Sequence, residues 1–235
     1  MGIGRDFQNE TSYTAPEGVE MPVPQPAGPG SPDFKLPGIS GDGPGIWKTI
    51  LSRRSRRAYS GESVSPELLG TLCWAAQGIT GSDKGHQLRA APSAGGLYSL
   101  DLYAALPGPD PREGLYRYMA GEHSLHPVLH GPVIEYLANA ALQQRFMIPS
   151  AAVFVLTAHP ERSVWKYEDR SWRYFYLDAG HIGQNIMLAA EALGLSSCGI
   201  GAFYDTAVNQ TMVLDGVEEM PVYMVAVGRP RGGQA

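Results

Sequence analysis

The segment SRRSRRAYS (52–60) places Arg53, Arg54, Arg56 and Arg57 within five positions. Four guanidinium groups this close repel one another, so the run becomes favourable when a multiply charged anion sits among them. A phosphomonoester suits it. Each charge-assisted hydrogen bond is worth about 1.5–3 kcal/mol, and the planar fork of Arg matches the phosphate oxygens. Ser55 adds a hydroxyl donor. Cations that merely answer the dipole at a helix C-terminus gain about 0.3–1 kcal/mol each, enough to explain one or two arginines but not four. Two further stretches point the same way. PSAGG (92–96) is a tight loop whose backbone can approach a flat ligand, and CGIGAF (198–203) is a second glycine-bearing segment with accessible N–H groups. Together with the arginines they fit a phosphorylated cofactor that carries a ring.

The whole-chain charge excludes a nucleic-acid face. Among 235 residues, 18 Lys and Arg stand against 23 Asp and Glu, a formal charge of -5, so the anion is small and local. The two cysteines, Cys73 and Cys198, are far apart in apolar or small-residue surroundings and suggest no disulfide framework. The N-terminus MGIGRDFQNE carries charge where a signal sequence needs an apolar core, and no apolar run approaches the roughly 18 residues of a membrane span. A soluble, cytoplasmic protein is expected.

The elements that must position these groups follow from patterning. Residues 1–45 hold 8 of the 19 Pro and 9 of the 29 Gly and read as an extended N-terminal arm, either disordered or laid as an ordered arm across a partner subunit. From residue 46 a globular domain runs to 235. Ile46, Ile50 and Leu51 fall at helical spacing and lead into the arginines. Ser65 and Pro66 then open a helix with Leu68, Leu69, Leu72 and Ala76 as its apolar stripe. LDLYAALP, AAVFVLTA and PVYMVAVG read as core strands, and GLYRYMAGEHSLHPV as a hairpin around Gly121. PVIEYLANAALQQRF is helical. YFYLDAGHIGQNIMLAAEALGL is a long helix closed by Gly194. Helices and strands mix without strict alternation or internal repeat, which argues for an α+β layered domain.

Six segments in order, RRSRRAY, LCWAAQGI, RAAPSAGGLY, GLYRY, WKYEDRSWRYFYLDAGHIGQNIMLAAEALGL and GIGAF, resemble the SagB-type dehydrogenase branch of the FMN-dependent nitroreductase superfamily over roughly residues 47–230. RDFQNETSY near the N-terminus resembles the start of stand-alone members. The resemblance implies a nitroreductase-like fold, a central mixed β-sheet flanked by helices, and a homodimer with FMN at the subunit interface. It assigns Arg53, Arg54, Ser55 and Arg57 to the flavin phosphate, with Arg56 at a position the family leaves non-basic. Pro92, Ser93, Ala94 and Gly95 match a loop contributed by the other subunit. Gln144 falls at the pyrimidine edge, Gly201 and Ala202 offer backbone N–H groups to N5 and O4, and Arg229 or Arg231 completes the phosphate site. NADH or NADPH is the implied external electron donor.

The same resemblance matches Lys166 and Tyr167 to the Lys-Tyr pair of azoline-oxidising members. Making an aromatic azole from its dihydro ring removes a proton while a hydride leaves, and a lysine of lowered pKa or a tyrosinate can take that proton. A small-molecule or peptide substrate follows. A stand-alone NAD(P)H-dependent nitro or quinone reductase is the alternative, and a non-catalytic flavin-binding or partner-binding module is the rival of another class. Other reactive-looking residues read as structural. His123, His126 and His130 are scattered by a hairpin and Pro127, so no metal is expected; His181 reads as a satisfied or interface histidine, and Cys198 as small and apolar.

Overall fold

The computed structural model describes residues 2–14, 24–28, 30–38, 45–109 and 111–232. Its helices are α1 (Ile3–Thr11), α2 (Ile46–Ser52), α3 (Pro66–Gln77), α4 (Val133–Ala140), α5 (Val164–Tyr167), α6 (Ser171–Ala192) and α7 (Asp205–Met212). Its strands are β1 (Gln25–Pro26), β2 (Phe34–Lys35), β3 (Ile79–Asp83), β4 (His86–Arg89), β5 (Leu100–Leu106), β6 (Gly114–Met119), β7 (Ser124–His130), β8 (Ala152–Ala158), β9 (Ser196–Ile200) and β10 (Met220–Gly228). The main sheet runs β1-β7-β6-β5-β8-β10-β9, with β2 also on β7, and β3 pairs β4 as a separate hairpin. Every ladder between these strands is antiparallel. Among the described residues, parallel pairing is confined to the isolated bridges Tyr13–Tyr204 and Ser55–Ser197.

Both faces of the sheet are covered, which is why its central strands read as unbroken apolar runs. Leu100, Leu102, Phe154, Leu156, Val225 and Val227 face α3 and α6 in one core. Tyr103, Ala105, Val153, Val155, Met224 and Ala226 alternate to the other face, against α4 and α7. Fully burying one such aliphatic side chain contributes about 1.5–3 kcal/mol, so the two cores hold β9 and α6 rigidly.

Two elements end where the site needs them to. Past α4, Leu142 and Gln143 take φ of 55° and 59°, and the Ala140 carbonyl accepts the Tyr204 N–H at 2.8 Å. The helix expected to run on to Phe146 therefore stops at Ala140, and the turn delivers Gln144 toward the end of β9. At the end of α6, Gly194 has φ +71°; its N–H donates to the Glu191 carbonyl and the Leu195 N–H to that of Ala190. This pattern is a Schellman motif that reverses the chain directly into β9.

The described parts of the Pro/Gly-rich arm lie on their own chain. β1 and β2 pair with β7, and α1 packs on α6 through Phe7 against Tyr176 and Arg5 over Trp172. Residues 15–23 and 39–44 of the arm lie outside the described residues. No helix among the described residues is long and apolar enough to cross a membrane.

Candidate functional site

The four arginines have different fates. Arg54 folds back, its Nη1 donating to the carbonyls of Leu51 (3.0 Å) and Arg53 (2.8 Å), so it answers the C-terminus of α2. Arg56 pairs with Glu191 at 2.5 Å and donates to the Ser52 carbonyl. It ties α2 to α6, which gives the extra arginine a structural task. Arg53 and Arg57 form no ion pair among the described residues. Arg57 lies 5.7 Å from the Phe146 ring centroid and also hydrogen-bonds the Cys198 side chain; burial raises the Cys198 thiol in spite of that bond.

The segment after the arginines is stitched to one end of the β9–β10 pair, where the start of β9 lies beside the end of β10. Ser55 bridges Ser197, and Tyr59 bridges Pro230. The Ser60 N–H donates to the Arg229 carbonyl and the Arg231 N–H to that of Ala58. Arg229 Nε donates to the Ser63 carbonyl and sits 3.9 Å from Glu62. Arg231 is exposed and makes no ion pair among the described residues, so of the two late arginines it is the one with an uncommitted charge.

Beyond the far end of β9, Gly201 and Ala202 are exposed, and their N–H groups donate to no acceptor among the described residues. A Cβ built on Gly201 meets nothing within 4 Å. Gln144 Nε2 donates to the Ala202 carbonyl at 2.9 Å, bringing these sequence-distant residues together. Beside them lies a cavity of about 430 Å³ lined by Phe7, Tyr13, Tyr176, Gly201, Phe203 and Pro221. One wall of it is α1, anchored at Asp205: the Tyr13 N–H donates to Oδ2 (3.0 Å), Gln8 Nε2 to Oδ1 (3.4 Å), and the Asp205 N–H to the Tyr13 carbonyl (2.9 Å). Burial raises the Asp205 carboxyl above its ordinary range. Sequence reasoning missed this wall, which Phe7, Gln8, Thr11, Ser12 and Tyr13 line.

Pro92 to Gly95 form a third group. Ser93 Oγ and the Ala94 N–H both donate to Asp178 Oδ2, at 2.8 and 3.1 Å, and Ser93 Oγ accepts the Tyr98 N–H. Asp178 is buried on α6, and that burial raises its carboxyl in spite of the two bonds. Gly95 has φ +64°, and a Cβ there would stand 2.4 Å from Tyr167 Oη and 2.8 Å from Lys166 Nζ. Only glycine fits. The Lys-Tyr pair therefore packs directly on the PSAGG loop, with Tyr167 edge-on to Tyr174 at 4.9 Å. Asp178, which fixes this geometry, showed in the sequence only as a lone carboxylate in an apolar helix.

Two of the hairpin histidines are occupied, while the third, His130, has a buried Nδ1 with no hydrogen-bond partner among the described residues. His123 contacts Tyr118 Oη and the Pro37 carbonyl, and His126 contacts Asp33 and Glu122. A network not visible in the sequence joins Asp101 to Arg117, Arg162 and His159, and His159 to Glu219. Burial alone would raise the Asp101 carboxyl, but the bonds from His159 and Arg162 hold it well below the usual range. Burial favours neutral His159, yet Asp101 and Glu219 push it up to about 9.

A family model described as nitroreductase family matches residues 50–229, the span that contains the arginine run, the PSAGG loop with Lys166 and Tyr167, and Gln144, Gly201 and Ala202. The chain belongs to the nitroreductase family. It is thus a nitroreductase-family oxidoreductase. It is 34% identical over 181 residues to the nitroreductase-family protein MJ1384 of Methanocaldococcus jannaschii, covering 77% of this chain and 88% of that one. The microcin B17-processing protein McbC of Escherichia coli is 24% identical over 143 residues, 57% of this chain and 51% of McbC. A nitroreductase-like structure from Ralstonia eutropha superposes with TM-score 0.72 at 24% identity, over 93% of this chain and 100% of that one. The E. coli McbBCD microcin synthetase complex gives TM-score 0.68 at 19% identity, over 97% and 92%. At these identities the structural matches speak for the nitroreductase fold.

Proposed function

We propose that this nitroreductase-family protein is an FMN-dependent dehydrogenase of the SagB type, oxidising a dihydro-heterocycle of the azoline class. The observation that carries the reading is the alignment of uncommitted donors along β9. Ser55, within the arginine run, bridges Ser197 at one end, and the open N–H groups of Gly201 and Ala202 lie past the other. Four residues of strand separate them by about 13 Å, a span suited to a phosphate and a flavin ring joined by a ribityl chain. Bound FMN supplies hydride transfer at N5. The chain's own residues do the rest. Arg53, Arg57 and Arg231, with Ser55 and the open edge of Arg54, hold the phosphate. Gly201 and Ala202 donate to the ring, where electron density accumulates on reduction, and Gln144 presents its amide beside them. Lys166 and Tyr167 take the proton from substrate carbon, and PSAGG positions them.

FMN binding with riboflavin excluded is the first test, since riboflavin lacks the phosphate; equal affinity removes the role given to the arginines. Lys166→Ala and Tyr167→Phe are expected to keep FMN content and reduction by NADH or NADPH while slowing oxidation of a thiazoline peptide by about 10²–10⁴. A nitro- or quinone-reductase, the reading favoured by the name of the M. jannaschii relative, abstracts no proton from carbon and retains its activity in both variants. A protein that binds FMN but accepts no electrons from either nicotinamide or a thiazoline is a binding module.

A further inference from the structure

The cavity beside Gly201 has two makers. Gly201, Phe203, Tyr176 and Pro221 come from within residues 50–229, the span that the family model matches, whereas Phe7, Thr11 and Tyr13 come from α1 and its exit, ahead of that span. The shared domain supplies the Gly201 edge and one set of walls, and the N-terminal helix closes the other side. It is aligned on that edge through the backbone: Tyr13 bridges Tyr204, on the same loop as Gly201.

The lining decides what the cavity can hold. Phe7 stands edge-on to Tyr176 with ring centroids 6.2 Å apart, and Phe7 and Tyr13 are each 54% exposed, so rings that border the cavity keep bare surface. Among the described residues that line it there is no Lys, Arg or His, and the one carboxylate, Asp205, is taken up by the Tyr13 N–H and by Gln8. A charged group entering here would give up its hydration and meet no free counter-ion. A flat, uncharged ring gives up little and gains stacked or edge-on contacts with the aromatic walls. The volume, about 430 Å³, and the apolar walls with a few polar groups are those of a small-molecule site.

We propose that α1 is the specificity element of this site: Phe7 and Tyr13, with Tyr176, form a pocket for an uncharged, flat aromatic group carried beside the ring that is oxidised. Aryl-substituted dihydro-heterocycles are then preferred to those with an aliphatic or a charged neighbour. The link to oxidation rests on the reading of Gly201 as the flavin edge; the pocket's walls are all protein.

The test is calorimetric titration of the FMN-loaded protein with three azoles, already aromatic so that no turnover intervenes. They are 2-phenylthiazole, flat and neutral; 2-cyclohexylthiazole, similar in size but not flat; and 4-(thiazol-2-yl)benzoate, flat but charged. The phenyl compound is expected to bind tighter than the cyclohexyl one by about two- to tenfold, and the benzoate weakest of the three. Phe7→Leu keeps an apolar side chain against Tyr176 but removes the ring, and should shrink the phenyl-over-cyclohexyl preference with FMN affinity unchanged. Thr11→Arg, at an exposed position lining the cavity, supplies the missing cation and should tighten binding of the benzoate by about tenfold. No preference for 2-phenylthiazole in the wild type, or an order of affinities that neither variant moves, overturns the pocket while the FMN reading stands. Protein that takes up no FMN defeats the flavin reading instead, and the same titrations on the apoprotein then decide the pocket.

Discussion

The molecule holds two groups of arginines, and they are treated in opposite ways. Arg117 and Arg162 sit around Asp101 with His159, and each has a carboxylate within 3 Å. Arg53, Arg57 and Arg231 stand at the end of the β9–β10 pair with no carboxylate paired to them among the described residues. The first group neutralises charge that the sheet has already buried, so it belongs to the frame. In the second, repulsion has been left unanswered, at some cost to the folded chain, and the answer must come from outside. Arg56 is instructive because it lies inside the second group and behaves as the first, paired with Glu191. Arginine position in the sequence announces neither role; the carboxylate opposite decides it.

The largest expected effect tests the uncommitted group. Two charge-assisted bonds of about 1.5–3 kcal/mol each predict that Arg53→Ala with Arg57→Ala weakens FMN binding by roughly 10²–10⁴-fold in a fluorescence titration, while the apoprotein melts no lower than wild type. Arg56→Ala is expected to invert the pattern, lowering the melting temperature with a small effect on FMN affinity. If Arg56→Ala abolishes binding and leaves stability intact, the division between frame and ligand cations is wrong.

The neutralised group is tested through pH. The folded His159 pKa of about 9 lies above its ordinary 6.5, so the protonated ring is favoured by folding. That stabilisation is complete below about pH 6.5, declines as pH rises, and is gone above about pH 9. Glu219 is shifted the other way: burial opposes ionisation, but bonds from His159 and Thr157 lower its pKa, so its contribution is lost on acidification. Urea unfolding across this range is expected to show stability falling from neutral to alkaline pH. His159→Gln should cost on the order of 3 kcal/mol at neutral pH and flatten the alkaline slope. An unchanged slope in the variant would place the titration elsewhere.

The same contrast explains what the sequence made legible. The core strands were readable because burial on both faces leaves almost only apolar residues, as in AAVFVLTA. Gly194 as the end of α6 was readable because a left-handed C-terminus requires glycine. The Asp101 network was not, because its members come from β5, β6 and the loops flanking β8 and β10, and only the sheet order β6-β5-β8-β10 makes them neighbours. The β3–β4 hairpin was missed because its strands are polar and mostly exposed, leaving no alternation to detect. Arg53 and Arg57 stood out in the sequence as members of the run, but what separates them from Arg54 and Arg56 in the fold is a helix terminus and Glu191, 135 residues from Arg56. The contact of Gly95 with Lys166 and Tyr167 was equally hidden, since a glycine looks the same whether it frees a turn or makes room for a neighbour.

The smallest expected effect concerns Asp205, a carboxylate that fits neither group, since backbone N–H groups and Gln8 answer it without any cation. It does for α1 what Glu191 does for α2, fastening a helix to the frame, but through neutral donors whose net worth is about 1 kcal/mol each. Asp205→Ala is therefore expected to cost about 1–2 kcal/mol and to release α1 rather than unfold the domain. The cavity beside Gly201 would then lose the wall formed by Phe7 and Tyr13. Limited proteolysis is the sensitive measurement, because cleavage within residues 3–13 tracks the population of the detached helix. The variant should be cut there far faster than wild type while residues 46–228 stay protected, and FMN affinity should hold, since no phosphate contact has been touched. Equal cleavage rates would mean that the packing of Phe7 on Tyr176 and Arg5 on Trp172 suffices to hold α1, and that Asp205 serves only to start α7.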